Sequence, residues 1–558
     1  AFPHERWWVA ALLAVHVALA GWGVLRTSVT FDENFHLASG VLIVARGEFR
    51  MATQNPPLVK ALCGAAALAA GARLPAESAL RTADESVVME SFMRENAAHY
   101  QRTFAAARSV VVLLSALLGL LVWRVARRLY GPRAGVLALA FHAVAPEALA
   151  QAGVVTMDVP TALSWLASAY AFWMFARSGR WGWWWASAGA VSFAFLVRFT
   201  APLLGPALLA IALVTVAARR ARRPVRLWSG LLLLAPVVLA VLYVAHLGRA
   251  SFAPLADWHF RSHLFQGLQQ AAPWLRLPLP DVWLGGFDRQ LVDSQTGVTP
   301  TYLLGRILPG AVWYYFPLAL VFKWPLGFLG GLLARAGLSI SSRRHRDALV
   351  AIPVLLYLAF GMFFGSLNVG VRYMLPLLPF LCVWVGGLAS TRLSARGGGR
   401  ARLWPRLGVA LALLQAVETG LAAPWFLSFF NGPAGGPGGG YRLVNDSNVD
   451  WGQGLLALRD EMRARGIERI HLAYHGTTDP AVYGIDYVPY LGGTPGPESD
   501  WLAVSSYYFV GLSQRMMTPR GRTPPVEIDF QALWRTRPVA RPADCIYLFR
   551  VRGPGRAR

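Results

Sequence analysis

Eleven apolar runs divide the sequence, at about residues 7–26, 104–123, 132–150, 159–176, 182–197, 202–218, 227–246, 309–333, 348–366, 373–390 and 406–423. Each approaches the roughly 20 residues that a helix needs to cross the hydrocarbon core of a bilayer. Lipid offers no partners to backbone N–H and C=O groups, so runs of this kind cross as helices. The expected fold class is therefore mostly α, a polytopic membrane protein of about eleven spans. Composition agrees, with 55% of the 558 residues hydrophobic and a mean hydropathy of +0.42. The first run has no small-residue cleavage site behind it and reads as a retained helix, not a signal peptide.

Charge orients these runs. A net charge of +24 on a soluble protein would point to nucleic acid. Here the arginines fall in short clusters after every second run, and no nucleic-acid partner is expected. Arg124, Arg127, Arg128 and Arg133 follow the second run, and Arg177 and Arg180 the fourth. Arg219, Arg220, Arg222, Arg223 and Arg226 follow the sixth, and Arg335, Arg343, Arg344 and Arg346 the eighth. Arg392, Arg396, Arg400, Arg402 and Arg406 follow the tenth. All five clusters fall on one side, which the positive-inside rule makes cytoplasmic. The N-terminus is then inside and the C-terminus outside.

The outer face receives loops 27–103 and 247–308 and everything beyond residue 423. The expected organisation is a transmembrane region over 1–423, a Gly-rich linker over 424–440 and a small extracytoplasmic α/β domain over 441–558. In that last part "DWGQGLLALRDEMRARG" reads as an amphipathic helix ended by Gly466. "RIHLAYHG" and "CIYLFRV" read as strands. Its distance in sequence from the first loop places it away from the core chemistry, over the external face. Cys63, Cys382 and Cys545 are too scattered for a disulfide framework or a zinc site. The histidines form no close cluster with carboxylates, so no metal and no cofactor are expected.

Chemistry concentrates where the first run ends, in "TSVTFDENFHLASG". Thr30 and Glu33 have capping-box spacing, so Glu33 can close the start of a helix. Asp32 then sits in the first turn, where the helix dipole favours its charged form, with His36 one turn on. A carboxylate at the outer membrane edge suits a general base acting on a hydroxyl. Further along, "GEFRMATQNPPLVKALCG" stiffens the chain with two prolines ahead of Lys60. Lys60 and Lys323 are the only lysines in the chain.

"FDENFHLASG…NPPLVK" resembles the first external loop of protein O-mannosyltransferases and related bacterial lipid-carrier glycosyltransferases, which have the GT-C fold. This chain carries Asn55 where the O-mannosyltransferases usually have His before the prolines, and His36 falls one residue later. The resemblance implies a polyprenyl-phosphate sugar donor at the outer leaflet and a protein, lipid or glycan acceptor. It implies that Arg108, a charge inside an apolar run, contacts the donor phosphate, where a snorkelling arginine is the plain alternative. It also implies an acid in the active site at Asp158, which could otherwise be an N-cap before Pro160. Arg198 and Arg372 stand at the ends of apolar runs and Lys323 within one; Lys60, Arg108, Arg198 and Arg372 together make an expected anion site. The expected catalytic residues are thus Asp32, Glu33 and Asp158. The expected binding residues are His36, Asn55, Lys60, Arg108, Arg198, Lys323 and Arg372. A same-fold transferase acting on lipid A or another glycolipid, a transporter or flippase, and a non-catalytic scaffold are the other readings.

Overall fold

A computed structural model describes residues 4–296, 300–339, 346–365, 367–390, 403–518, 521–526 and 530–551. Arg343, Arg344, Arg392, Arg396, Arg400 and Arg402 lie outside the described residues.

The chain is mostly helical, and every apolar run carries a helix or a bent pair of helices. Among the described residues, Glu5–Arg26, Ala97–Tyr130 and Pro224–Ala245 are each long and apolar enough to cross a membrane. Pro132–Ala143 with Pro146–Ala152 bends by 63°, and Tyr315–Lys323 with Leu326–Leu338 bends by 115°. Counting each bent pair as one span gives up to five. The count of eleven is therefore not reproduced by helix length and apolarity. Most other helices are short; Asp158–Ser178 is rich in Ser, Thr, Tyr and Trp that the surrounding bundle buries, and Leu403–Ala422 carries Arg406, Gln415 and Glu418. A helix walled off from lipid by its neighbours can carry such residues.

The first loop is more ordered than its sequence promised. After α1 (Glu5–Arg26) come α2 (Glu33–Arg46) and α3 (Leu58–Ala69), which pack closely together. Their contact is set by glycine: a Cβ on Gly40 would lie 2.1 Å from the Lys60 carbonyl oxygen, and one on Gly64 would lie 2.3 Å from the Gly40 carbonyl carbon. The acidic motif at the head of α2 and the proline-lysine motif at the head of α3 are thereby held in one fixed relation. Beyond them run α4 (Tyr100–Tyr130) and α5 (Asp158–Ser178), with α6 (Asp281–Thr296) in the second large loop.

The C-terminal part carries α7 (Leu455–Ala464) and a four-stranded sheet. Its strands are β1 (Arg469–Ala473), β2 (Asp486–Pro489), β3 (Trp501–Ser505) and β4 (Ile546–Arg550), in the order β2-β1-β3-β4. β1 is parallel to β2 and to β3, whereas β3 and β4 are antiparallel. Gly466 adopts φ +65° just beyond α7, where a left-handed residue ends a helix at no Cβ cost.

This part does not stand apart from the membrane helices. The Phe31 N–H donates to the Trp451 carbonyl (2.8 Å), and the Ser28 hydroxyl to that of Gly452 (2.8 Å). The Asn34 amide donates to Thr477 (2.9 Å) and Thr478 (3.0 Å). One continuous apolar core runs from Val29 and Leu37 through the bundle to Leu455, Ile470 and Leu548. The Gly-rich segment before it is short turns of helix, fastened by the Asn431 amide to the Val321 and Trp324 carbonyls.

Candidate active site

The Glu33 carboxylate, on the first residue of α2, accepts from the Thr30 N–H (2.8 Å) and hydroxyl (3.0 Å); Asp32 and not Thr30 is the N-cap, and the Thr30 hydroxyl caps no helix N–H, so only half of the expected capping box forms. The same carboxylate accepts from the Val155 N–H (2.9 Å) and from Arg108 at Nε (2.8 Å) and Nη2 (2.6 Å). Both side chains of this ion pair are fully buried. Arg108 spends its remaining donors on the carbonyls of Ser28 (2.8 Å), Thr27 (3.0 Å) and Val24 (3.3 Å). The pair nails the end of α1 and the start of α2 to α4. Neither side chain is among those that line the cavity described next, so Glu33 and Arg108 act on the fold around it.

In front of them lies a cavity of about 680 Å³. Asp32, His36, Asn55 and Arg372 line it. Asp32 accepts from Arg372 Nη2 at 3.1 Å and remains partly exposed. His36 donates from Nδ1 to the Val155 carbonyl (2.8 Å), and burial holds its pKa below the ordinary value, against the pull of Asp32. Arg372 is the hub. Its Nε donates to Ser447 Oγ (3.3 Å), its Nη1 lies 3.6 Å from Asp158, and its guanidinium covers the Trp451 ring at 3.9 Å. Asp158 is buried and pairs with Arg198 as well, so one carboxylate holds two arginines together. The two guanidinium groups also flank Tyr373, each 4.9 Å from its ring centre.

A second, apolar hollow of about 120 Å³ adjoins the first. Tyr373, Leu367 and Gln290 border both, and Phe199, Phe287, Phe360, Phe364 and Met374 line the hollow beside Arg198. Two arginines thus stand where a polar chamber meets an apolar one.

Both lysines are placed elsewhere. Lys60 is buried and donates to the Ala52 carbonyl (2.8 Å). Lys323 is buried at the 115° bend and donates to the carbonyls of Leu427 (2.7 Å) and Asn448 (2.7 Å). Neither reaches the cavity. Of the four residues expected to form an anion site, only Arg198 and Arg372 border these cavities, and the physical reason is competition. Bent helices and loop ends present bare carbonyls, and a buried cation satisfies them first.

Sequence reasoning kept residues 441–558 away from the chemistry, and here the structure differs. Asp446, Trp451 and His475 line the same cavity. "NDSN" is bolted to the Arg372 segment: the Val371 N–H donates to Asn448 Oδ1 (3.0 Å), and Ser447 Oγ donates to the Val369 carbonyl (2.8 Å). A Cβ on Gly370 would lie 2.2 Å from Ser447 Oγ, so a larger residue there would push that hydroxyl off Arg372 and the Val369 carbonyl. Asp446 has φ 60°, a conformation that costs a residue with a Cβ. Burial pushes its carboxyl up to about 7, offset in part by the Ser447 N–H and by Arg372. The signal was the density of polar residues in "NDSNVDWGQG", which also reads as a turn.

These features meet known proteins at two points. A family model described as "Dolichyl-phosphate-mannose-protein mannosyltransferase" matches residues 97–244, which include Asp158 and Arg198. Among solved structures, the apo oligosaccharyltransferase of Archaeoglobus fulgidus is similar at a TM-score of 0.50. The identity is 12%, over 95% of this chain and 76% of that one, so the likeness is one of fold. ArnT from Cupriavidus metallidurans bound to undecaprenyl phosphate matches at a TM-score of 0.48 and 14% identity, over 97% of each chain. Comparison with curated proteins finds no match. The family match thus lies beyond "FDENFHLASG…NPPLVK", in residues 97–244, and the shared fold is of the GT-C kind.

Proposed function

We propose that this protein is a membrane glycosyltransferase that moves a sugar from a polyprenyl-phosphate carrier to an acceptor hydroxyl. The observation that carries the reading is the junction at Arg198, Tyr373 and Arg372, where the apolar hollow adjoins the polar cavity. A polyprenyl phosphate has the same two-part chemistry, a greasy chain ending in an anion. Its phosphate would lie against Arg198 and Arg372, which neutralise charge as the anomeric C–O bond breaks. Asp158 keeps those two arginines side by side and is a positioning residue. Asp32 turns from Arg372 to the acceptor hydroxyl and takes its proton while the oxygen attacks the anomeric carbon. A single displacement inverts that centre. Glu33 and Arg108 fix the backbone that carries Asp32. His36 and Asn55 face the sugar.

In this reading the chain crosses the membrane eleven times, with the cavity and residues 441–558 on the extracytoplasmic side. The family match makes mannose the first sugar to try. The test is turnover by purified protein in nanodiscs with polyprenyl-phosphate mannose. Release of free polyprenyl phosphate, accelerated by acceptor, is expected. A donor that stays intact with every acceptor class would sink the proposal.

A further inference from the structure

Several of the arginines on the face that the positive-inside rule makes cytoplasmic gather at one point of the bundle. Arg177, in the last turn of α5, lays its guanidinium over the Trp173 ring at 4.7 Å. Arg177 and Arg220 stand on the rim of a dent of about 10 Å³ that Trp173, Thr215 and Leu349 also line. The charges of Arg128, Arg220 and Arg222 all bear on Arg177. Those of Arg124 and Arg128 bear on Tyr170, whose ring stacks beside Trp173. Three segments distant in the chain meet here: the end of α4, the end of α5 and the turn before Pro224.

Like charges brought together repel unless an anion answers them. These segments hold none: between Glu95 and Asp257 the sequence has two acids, Glu147 and Asp158. Asp158 opens α5 at its other end, roughly 28 Å from Arg177 at about 1.5 Å per residue, and Glu147 lies near Asp158 and Lys323. Among the described residues Arg124, Arg128, Arg177, Arg220 and Arg222 form no ion pair, whereas Arg127 reaches Glu5 (2.9 Å) and Arg335 reaches Asp347 (3.5 Å). Topology does not demand this. The positive-inside rule counts Lys and Arg and is nearly blind to Asp and Glu, so it leaves acids free to pair with these arginines. Position selects the missing anion. Trp185, Val225 and Leu232, on the helices beside the cluster, are 61%, 80% and 76% exposed, apolar surface that a bilayer covers. Trp and Tyr at such a level mark headgroup depth. A soluble nucleotide has no use for that flank, whereas a phospholipid brings a phosphate to the arginines and chains to the flank. The dent is too small to swallow an ion, so the phosphate lies across its rim.

We propose that Arg128, Arg177, Arg220 and Arg222 bind the headgroup phosphate of an anionic phospholipid in the cytoplasmic leaflet, at the end of α5 away from the carrier site. The proposal rests on the orientation of the chain in the membrane and not on the transfer of a sugar. Guanidinium groups suit the task, because their paired N–H donors match two phosphate oxygens.

The experiment titrates delipidated protein, in a neutral detergent, with phosphatidylglycerol, phosphatidylcholine or inorganic phosphate. Native mass spectrometry counts bound lipid, and the melting temperature is followed alongside. Phosphatidylglycerol is expected to bind roughly tenfold more tightly than phosphatidylcholine and to raise the melting temperature, which inorganic phosphate leaves unchanged. Arg177→Gln and Arg220→Gln should each weaken phosphatidylglycerol binding about tenfold, the effect of one lost charge-assisted bond. Arg220 is exposed, so its variant keeps the fold. Arg177→Lys should lose less than Arg177→Gln, because it keeps the charge. Arg406→Gln removes the same charge from another cytoplasmic segment and should leave binding unmoved. An equal loss in Arg406→Gln would overturn the site, since the lipid would then answer net charge alone. Equal binding of the two lipids would overturn it too, and so would stabilisation by inorganic phosphate as large as that by the lipid. No readout depends on sugar transfer, so a protein that leaves polyprenyl-phosphate mannose intact loses the enzymatic reading and keeps this one.

Discussion

Arg108→Ala tests whether a charge inside the bundle belongs to the substrate or to the fold. Arg108 makes two bonds to Glu33 and three to backbone carbonyls, within a fully buried environment. Removing one partner of a buried pair costs about 3–5 kcal/mol, because the other charge stays buried. Glu33 keeps its bonds from Thr30 and Val155, which places the loss near the lower limit. The Ser28 and Thr27 carbonyls lose a donor as well, which raises it again. We therefore expect about 3–4 kcal/mol of destabilisation. Arg108→Lys should recover part of it, since an ammonium restores charge but cannot span the carboxylate and three carbonyls. Unfolding in nanodiscs, followed by tryptophan fluorescence, gives the stability, and equilibrium binding of polyprenyl-phosphate mannose gives the affinity. An Arg108→Ala protein of normal stability that had lost donor binding would refute the reasoning and return Arg108 to the phosphate.

Asp32→Asn preserves shape but cannot take a proton, so transfer should drop by about 10²–10⁴-fold while donor affinity survives; near-normal turnover would remove Asp32 as the base. The Asp446 carboxyl is raised to about 7 by burial, so the folded state holds its proton more tightly than the unfolded chain does. Its contribution to stability is full below the unfolded carboxylate value and is lost as pH rises towards about 7. Asp446→Asn should therefore raise the melting temperature at pH 8 relative to wild type and not at pH 4; an equal shift at both would contradict this. Truncation after residue 440 should abolish folding as well as transfer, because Leu455, Ile470 and Leu548 complete the core; a stable truncated protein that still binds donor would oppose that.

What was legible in the sequence was charge out of place. Asp32, Asp158, Arg198 and Arg372 stand at the ends of apolar runs, where an ionised group is costly unless it has work to do. The structure brings those four into one network. The same rule also selected Arg108, Lys60 and Lys323, which it cannot distinguish from the others. Whether a buried cation serves ligand or carbonyls depends on where helices break, and the 115° bend beside Lys323 leaves no plain mark in an apolar run. The contact between Thr30 and Glu33 was readable because it is local, although it forms without Thr30 capping the helix. Asp446 was not, because its value comes from Arg372, which lies far away in the chain.

The stitching of the first loop to the last part of the chain has a consequence for biosynthesis. The Ser28 hydroxyl binds the Gly452 carbonyl, 424 residues later. At roughly 5–20 residues per second, a ribosome needs roughly 20–85 s to travel between them. For all of that interval Asp32 stands beside an Arg372 that is absent or still lacks its Trp451 face and its Ser447 acceptor. The nascent chain thus spends most of its synthesis as a membrane-inserted frame without a working centre. Only the arrival of the final hundred residues closes the chamber, so a chain interrupted before that point is inert as well as unfinished.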